Sequence, residues 1–247
     1  MPRRRIPNET QEKSKCTLLL LSLMVCFSVM IGVSTYMLLS AHAEYSEGEE
    51  SYVDLLPYVS IPYAEKEPSA SEETTLLERP VVDFDALKAA NPDIIAWLFC
   101  EGTPIHSPIV QGDDNEYCLD HLFDGTRNGA GCLFMDYRNA ASFSDQNSIV
   151  YGHNIKNKTM FSVLMEYKKQ AFYEEHPTML LITPEGYYTV DLFAGFVAAT
   201  KDNAWKQTFS SQTEQEDWIR AIKENSTFQS DTHVGVSDKL LTLSACS

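Results

Sequence analysis

Residues 94–111 read IIAWLFCEGTPIHSPIVQ. Two apolar, β-prone runs, 94–100 and 105–111, flank Glu101-Gly102-Thr103-Pro104, and the pattern predicts a β-hairpin. The signature recurs downstream: 179–183 and 187–199 flank Pro184-Glu185-Gly186, a second hairpin. Further strands are expected at 131–136, 148–151 and 239–246. Helical signals are fewer. Residues 83–90 read as a short helix stopped by Asn91-Pro92, and 160–167 has helical spacing. Ser211 and Glu214 form a capping-box signature that opens a helix running to about Asn225, with Trp218 and Ile222 on one face. Seven or so short strands with few helices between them predict a mostly β fold, a closed or nearly closed barrel with peripheral helices. No internal repeat is visible.

Working outward, charge divides the chain. The 247 residues carry a formal net charge of −16 and a pI near 4.7, a balance that repels phosphate backbones and argues against nucleic-acid binding. Residues 1–16 are basic and precede an uncharged run at 17–39, 23 residues long, enough to cross a hydrocarbon core of about 30 Å as a helix. Basic residues before it and acidic ones after it predict a single-pass anchor with a cytoplasmic N-terminus. Ala41-His42-Ala43 resembles a signal-peptidase site, so a cleaved signal is the competing reading, although signal h-regions run shorter, at about 7–15 residues. Residues 40–80 are acidic, interrupted by Pro57, Pro62 and Pro68, and poor in large aliphatics, which predicts an extended, flexible spacer. Residues 81–247 form the domain.

Within that domain GxSxG, HExxH, a phosphate-cradling glycine loop and CxxC are all missing. One pair remains. His153 follows a strand in Tyr151-Gly152-His153-Asn154, and Cys246 ends Thr242-Leu243-Ser244-Ala245-Cys246. Both lie where strands give way to loops, where scaffolds present reactive groups, and an imidazolium beside a thiol lowers its pKa. The plain alternative is a structural histidine and a buried cysteine. Cys100, Cys118 and Cys132 read as buried small hydrophobes, with a disulfide chemically allowed outside the cell. His106, His121, His176 and His233 read as surface or turn residues, and Asp113-Asp114 with Asp120 as a solvated loop.

The order of short words resembles class B sortases from about residue 83 onward. Asn91-Pro92-Asp93 with Trp97 comes first, then Pro108-Ile109-Val110-Gln111, Asp114-Asn115-Glu116-Tyr117 and Met135-Asp136-Tyr137-Arg138-Asn139. Tyr151-Gly152-His153-Asn154, Met160-Phe161, His176-Pro177, Thr183-Pro184-Glu185-Gly186 and Thr242-Leu243-Ser244-Ala245-Cys246 follow. The resemblance implies a sortase-type β-barrel and a membrane-anchored cysteine transpeptidase on the outer face of a Gram-positive-type cell. Cys246 would attack the Thr carbonyl of an NPxTN-like sorting signal on a surface protein. A peptidoglycan precursor amine would resolve the thioacyl intermediate, and His153 would serve as general acid and base. Asn115, Leu119 and Ser244 match substrate-groove positions, and neither metal nor cofactor is expected. Two features depart from the family: Ala245 stands where Thr is usual, and the Arg expected on a strand after the nucleophile is not matched by Arg127, Arg138 or Arg220. The sequence therefore reads as truncated just after Cys246. The rival readings are a different cysteine acyl-transferase, or a sortase-like domain that binds sorting peptides without turnover.

Overall fold

The computed structural model describes residues 9–60, 79–154, 160–199 and 203–246, divided into two compact units, Met1–Glu47 and Gly48–Ser247. Helix α1, Glu9–Val53, makes up the first unit and ends within the second. From Leu18 to Leu39 its large apolar side chains are exposed, 64% for Leu18 and 73% for Leu38. Such a surface is stable only against lipid or another apolar partner. Ser22, Ser28 and Thr35 each donate their hydroxyls to carbonyls three or four residues earlier, which satisfies these three donors within the helix itself. The segment from Leu18 has a mean hydropathy of 2.3 and is long and apolar enough to cross a membrane.

The spacer expected over 40–80 is partly ordered. α1 runs on through Val53, a 3₁₀ turn follows at Leu56–Tyr58, and β1, Val59–Ser60, pairs antiparallel with β2, Val81–Val82. The reason lies in a few residues that do find burial. Leu55 and Val59 are 3% and 7% exposed, and Tyr52 packs edge-on against Phe123. Residues 61–78 of the expected spacer lie outside the described residues.

Helix α2, Phe84–Ala90, starts where Asp83 accepts a hydrogen bond from the Ala86 amide and stops at extended Asn91, before Pro92. β3, Ile94–Phe99, and β4, His106–Val110, form the hairpin read from the sequence. Gly102 turns it with φ +72°, a region that favours glycine, and Thr103 ties it by donating its hydroxyl to the Cys100 carbonyl. β5, Leu133–Met135, lies parallel to β4, and β6, Asn147–His153, antiparallel to β5. Helix α3, Gln170–Glu175, was not anticipated, and precedes β7, Thr178–Thr183, and β8, Gly186–Asp191. Helix α4, Gln212–Glu224, is capped by Ser211, whose hydroxyl accepts from the Glu214 amide as the capping signature predicts. β9, Leu240–Cys246, then returns parallel to β6.

The seven strands β3 to β9 form one curled sheet, a half-barrel in the order β8-β7-β3-β4-β5-β6-β9. The mostly β expectation therefore holds. Its concave core includes Leu98, Ile109, Met135, Val150 and Phe161, all fully buried.

Three local expectations are corrected. The segment 160–167 is a 3₁₀ helix, Phe161–Lys168, because three residues per turn stack Phe161, Leu164 and Tyr167 along the core. The strand expected over 187–199 ends at Asp191, since further on the Gly195 amide and carbonyl bond to Ser226 and Thr227 instead of a ladder. His106 is not a turn residue: it sits in β4, edge-on to Trp97 and Phe99.

Candidate active site

Seven register pairs join β6 to β9, and they place Tyr151 opposite Ser244, Gly152 opposite Ala245 and His153 opposite Cys246. Parallel strands end on the same side, so the two residues singled out from sequence are backbone neighbours at one edge of the sheet. Gly152 has no room for a side chain: a Cβ would lie 2.5 Å from Leu133 and 2.8 Å from Phe161. It faces the core, so Tyr151 and His153 face the other way, and Ser244 shares their face by register.

His153 is half-buried, and its Nε2 lies 2.7 Å from the Leu119 carbonyl oxygen. A carbonyl only accepts, so the bond requires the proton on Nε2 and leaves Nδ1 as the nitrogen able to exchange one. Gly131, φ +61°, supports the ring from another side. A Cβ there would fall 2.7 Å from His153 Cδ2 and 2.7 Å from the Cys118 carbonyl oxygen. Leu119, expected in a substrate groove, is 36% exposed and thus reaches the histidine through its backbone while its side chain meets solvent.

Asn115 is held by both ends of its amide. Its Oδ1 accepts from the Tyr137 amide at 3.0 Å, and its Nδ2 donates to Asp136 Oδ2 at 3.2 Å. Asp136 is fully buried and also accepts from the Tyr151 hydroxyl, the Arg138 amide and the Arg138 guanidinium at 2.7 and 2.8 Å. Burial opposes its charge, but Arg138, Asn115 and Tyr151 outweigh that and hold the Asp136 carboxyl well below the usual carboxylate range. Ser244 accepts a hydrogen bond from the Trp205 indole at 2.9 Å. An apolar cavity of about 280 Å³ flanks β9 here, with walls from Trp205, Phe193, Val197, Leu241 and Leu243.

Sequence reasoning missed Gly131, Asp136 and Trp205. The charged pair in Met135-Asp136-Tyr137-Arg138 was the available signal for Asp136, since a carboxylate after an apolar strand needs a partner close by. The three arginines weighed from sequence are each engaged: Arg138 with Asp136, Arg127 with Asp120 at 3.4 Å, and Arg220 with Asp217. Among the described residues no group of three or more His, Cys, Asp or Glu is gathered to hold a metal ion.

No family model matches the chain. Sortase B of Staphylococcus aureus strain NCTC 8325 is 34% identical over 163 residues, 66% of this chain and 67% of that protein. Sortase B of Listeria monocytogenes is 36% identical over 160 residues, 65% of each chain, so the chain spans about two thirds of the curated relatives it matches. Among solved structures, a Staphylococcus aureus sortase B–substrate complex superposes with a TM-score of 0.65 at 34% identity, covering 66% of this chain and 76% of that one.

Proposed function

The chain belongs to the sortase B family, and on that premise we propose that it is a membrane-anchored cysteine transpeptidase acting on sorting-signal peptides. The observation that carries the reading is the β6–β9 register, which sets His153 against Cys246 at the shared end of two parallel strands.

In the proposed reaction the Cys246 thiolate adds to the Thr carbonyl of an NPxTN-like signal. The tetrahedral intermediate collapses to a thioester, and the departing amine takes a proton from His153. A peptidoglycan precursor amine then attacks the thioester and gives a proton back to His153, and the thiolate leaves. With Nε2 held by Leu119, Nδ1 is the nitrogen through which both transfers run. Asn115, Leu119 and Ser244 line the peptide's path, with Asp136 and Trp205 fixing the first and last of these.

The exposed apolar surface of α1 supports the proposed membrane attachment, and the charges flanking it support a basic N-terminus inside and the domain outside. A specific observation favours a second reading, binding without turnover: the guanidinium groups of Arg127, Arg138 and Arg220 are all occupied by carboxylates. The experiment that separates the two incubates the full chain with an NPxTN-type peptide and an oligoglycine amine, and follows products by mass spectrometry. A ligated product that requires Cys246 supports transpeptidation. Saturable peptide binding with no cleavage supports the second reading and contradicts the first.

A further inference from the structure

Two buried thiols sit one residue away from the two contacts of His153. Cys118 precedes Leu119, whose carbonyl holds Nε2, and Cys132 follows Gly131, which packs on the ring. Their side chains are 4% and 1% exposed, yet Cys118 lies in a surface turn between Tyr117 and Leu119, 50% and 36% exposed.

We propose that Cys118 and Cys132 are a dithiol site that a small-molecule disulfide oxidises to an internal disulfide, clamping together the two segments that hold His153.

The geometry supports it at three levels. The Cys132 amide donates to the Cys118 carbonyl at 3.1 Å, which keeps the two backbones within reach of the Cα separation a disulfide spans, about 4.4–6.8 Å. The Cys132 thiol points back at the same carbonyl at 3.9 Å. The neighbouring thiols differ in accessibility: Cys118 lies in the exposed turn, whereas Cys132 is the more deeply buried of the two. Their mutual interaction holds the Cys118 thiol below its ordinary value, whereas the same interaction and then burial push Cys132 well above. Position and acidity together make Cys118 the attacking thiol and Cys132 the resolving one.

The chemistry balances with a glutathione-type disulfide as oxidant. The Cys118 thiolate attacks one sulfur of RSSR and releases RS⁻, forming a mixed disulfide. Cys132 gives its proton to RS⁻ and attacks the Cys118 sulfur, expelling a second RS⁻, which takes up the proton lost by Cys118. Two protein thiols become one disulfide, and RSSR becomes two RSH. Among the described residues a third buried thiol is placed differently: Cys100 lies against Tyr167 and the Thr178 carbonyl, and burial pushes it up. The inference rests on the exterior placement proposed above only for its supply of oxidant.

The test uses the purified full chain and oxidised glutathione, with acid quenching, alkylation, digestion and mass spectrometry. A joined Cys118–Cys132 peptide pair, 2 Da lighter than its two thiol halves, is expected, at least ten times more abundant than any Cys100 linkage. It disappears in Cys118→Ser and in Cys132→Ser. Alkylation of both thiols after oxidation, or a stable glutathione adduct on Cys118 alone, would overturn the dithiol site. Oxidation should also shift the His153 imidazole NMR signals in the wild type and leave them in place in Cys132→Ser. An unmoved His153 signal in the fully oxidised wild type would overturn the clamp. None of these readouts needs transpeptidase activity or membrane topology, so they fail or succeed apart from the proposed function.

Discussion

Replacing Gly131 by alanine separates two costs that the structure assigns to one position. The first is conformational: at φ +61° an L-residue lies in the left-handed region, at a cost of about 1–2 kcal/mol. The second is steric. The new methyl would sit 2.7 Å from the Cys118 carbonyl, which is backbone, and 2.7 Å from His153 Cδ2, which is a movable ring. Forcing a methyl into occupied space typically costs about 1–3 kcal/mol. The sum, about 2–5 kcal/mol, is a large share of a domain stability of about 5–15 kcal/mol. At about 2–4 °C per kcal/mol for a domain of this size, Gly131→Ala should lower Tm by about 10 °C. Gly125 is the internal control: its φ is +83°, but the nearest atom to an added Cβ is the Tyr117 hydroxyl at 3.4 Å, an ordinary contact. Gly125→Ala should therefore bear the conformational cost alone and lose less than about half as much. Thermal unfolding of both variants measures the difference, and the His153 NMR signals should move only in Gly131→Ala. Equal Tm losses, with His153 undisturbed in both, would refute the close packing of Gly131 on the histidine.

The remaining expectations concern other parts of the molecule. Because the folded Asp136 carboxyl is depressed, its stabilisation is present above the unfolded value near 3.9 and is lost as pH falls through the lower folded value. Asp136→Asn should therefore cost roughly 1.5–3 kcal/mol at pH 7 and flatten the acid limb of stability, as read by urea unfolding at several pH values. Trp205→Phe removes the donor to Ser244 and should cost about 1 kcal/mol while weakening peptide binding, measured by calorimetric titration. Protease added to intact protoplasts should degrade the domain; a protected domain would contradict the proposed topology.

Much of this architecture was legible because the signals were local. The hairpin at 94–111 announced itself by turn residues between apolar runs, the Ser211 cap by its spacing to Glu214, and the α1 span by an uncharged run. The short words around His153 and Cys246 carried the family in their order. What stayed hidden depends on distant packing. Nothing near Gly131 in sequence states that His153 will lie against it, 22 residues on, and Trp205 reaches Ser244 only once α4 has been crossed. The helical extension through Val53 was hidden for the same reason. An acidic, proline-punctuated composition outweighed Tyr52, Leu55 and Val59, whose partners such as Phe123 lie far along the chain.

The most direct test of the account is to trap the acyl-enzyme. The full chain is mixed with an NPxTN-type peptide in the absence of amine, quenched in acid and mapped by mass spectrometry. The account predicts a thioester on Cys246 carrying the peptide's fragment up to Thr, absent in Cys246→Ala and formed at least a hundredfold more slowly in His153→Ala. An adduct on another cysteine, or one that forms on Cys246 at the same rate without His153, would contradict it.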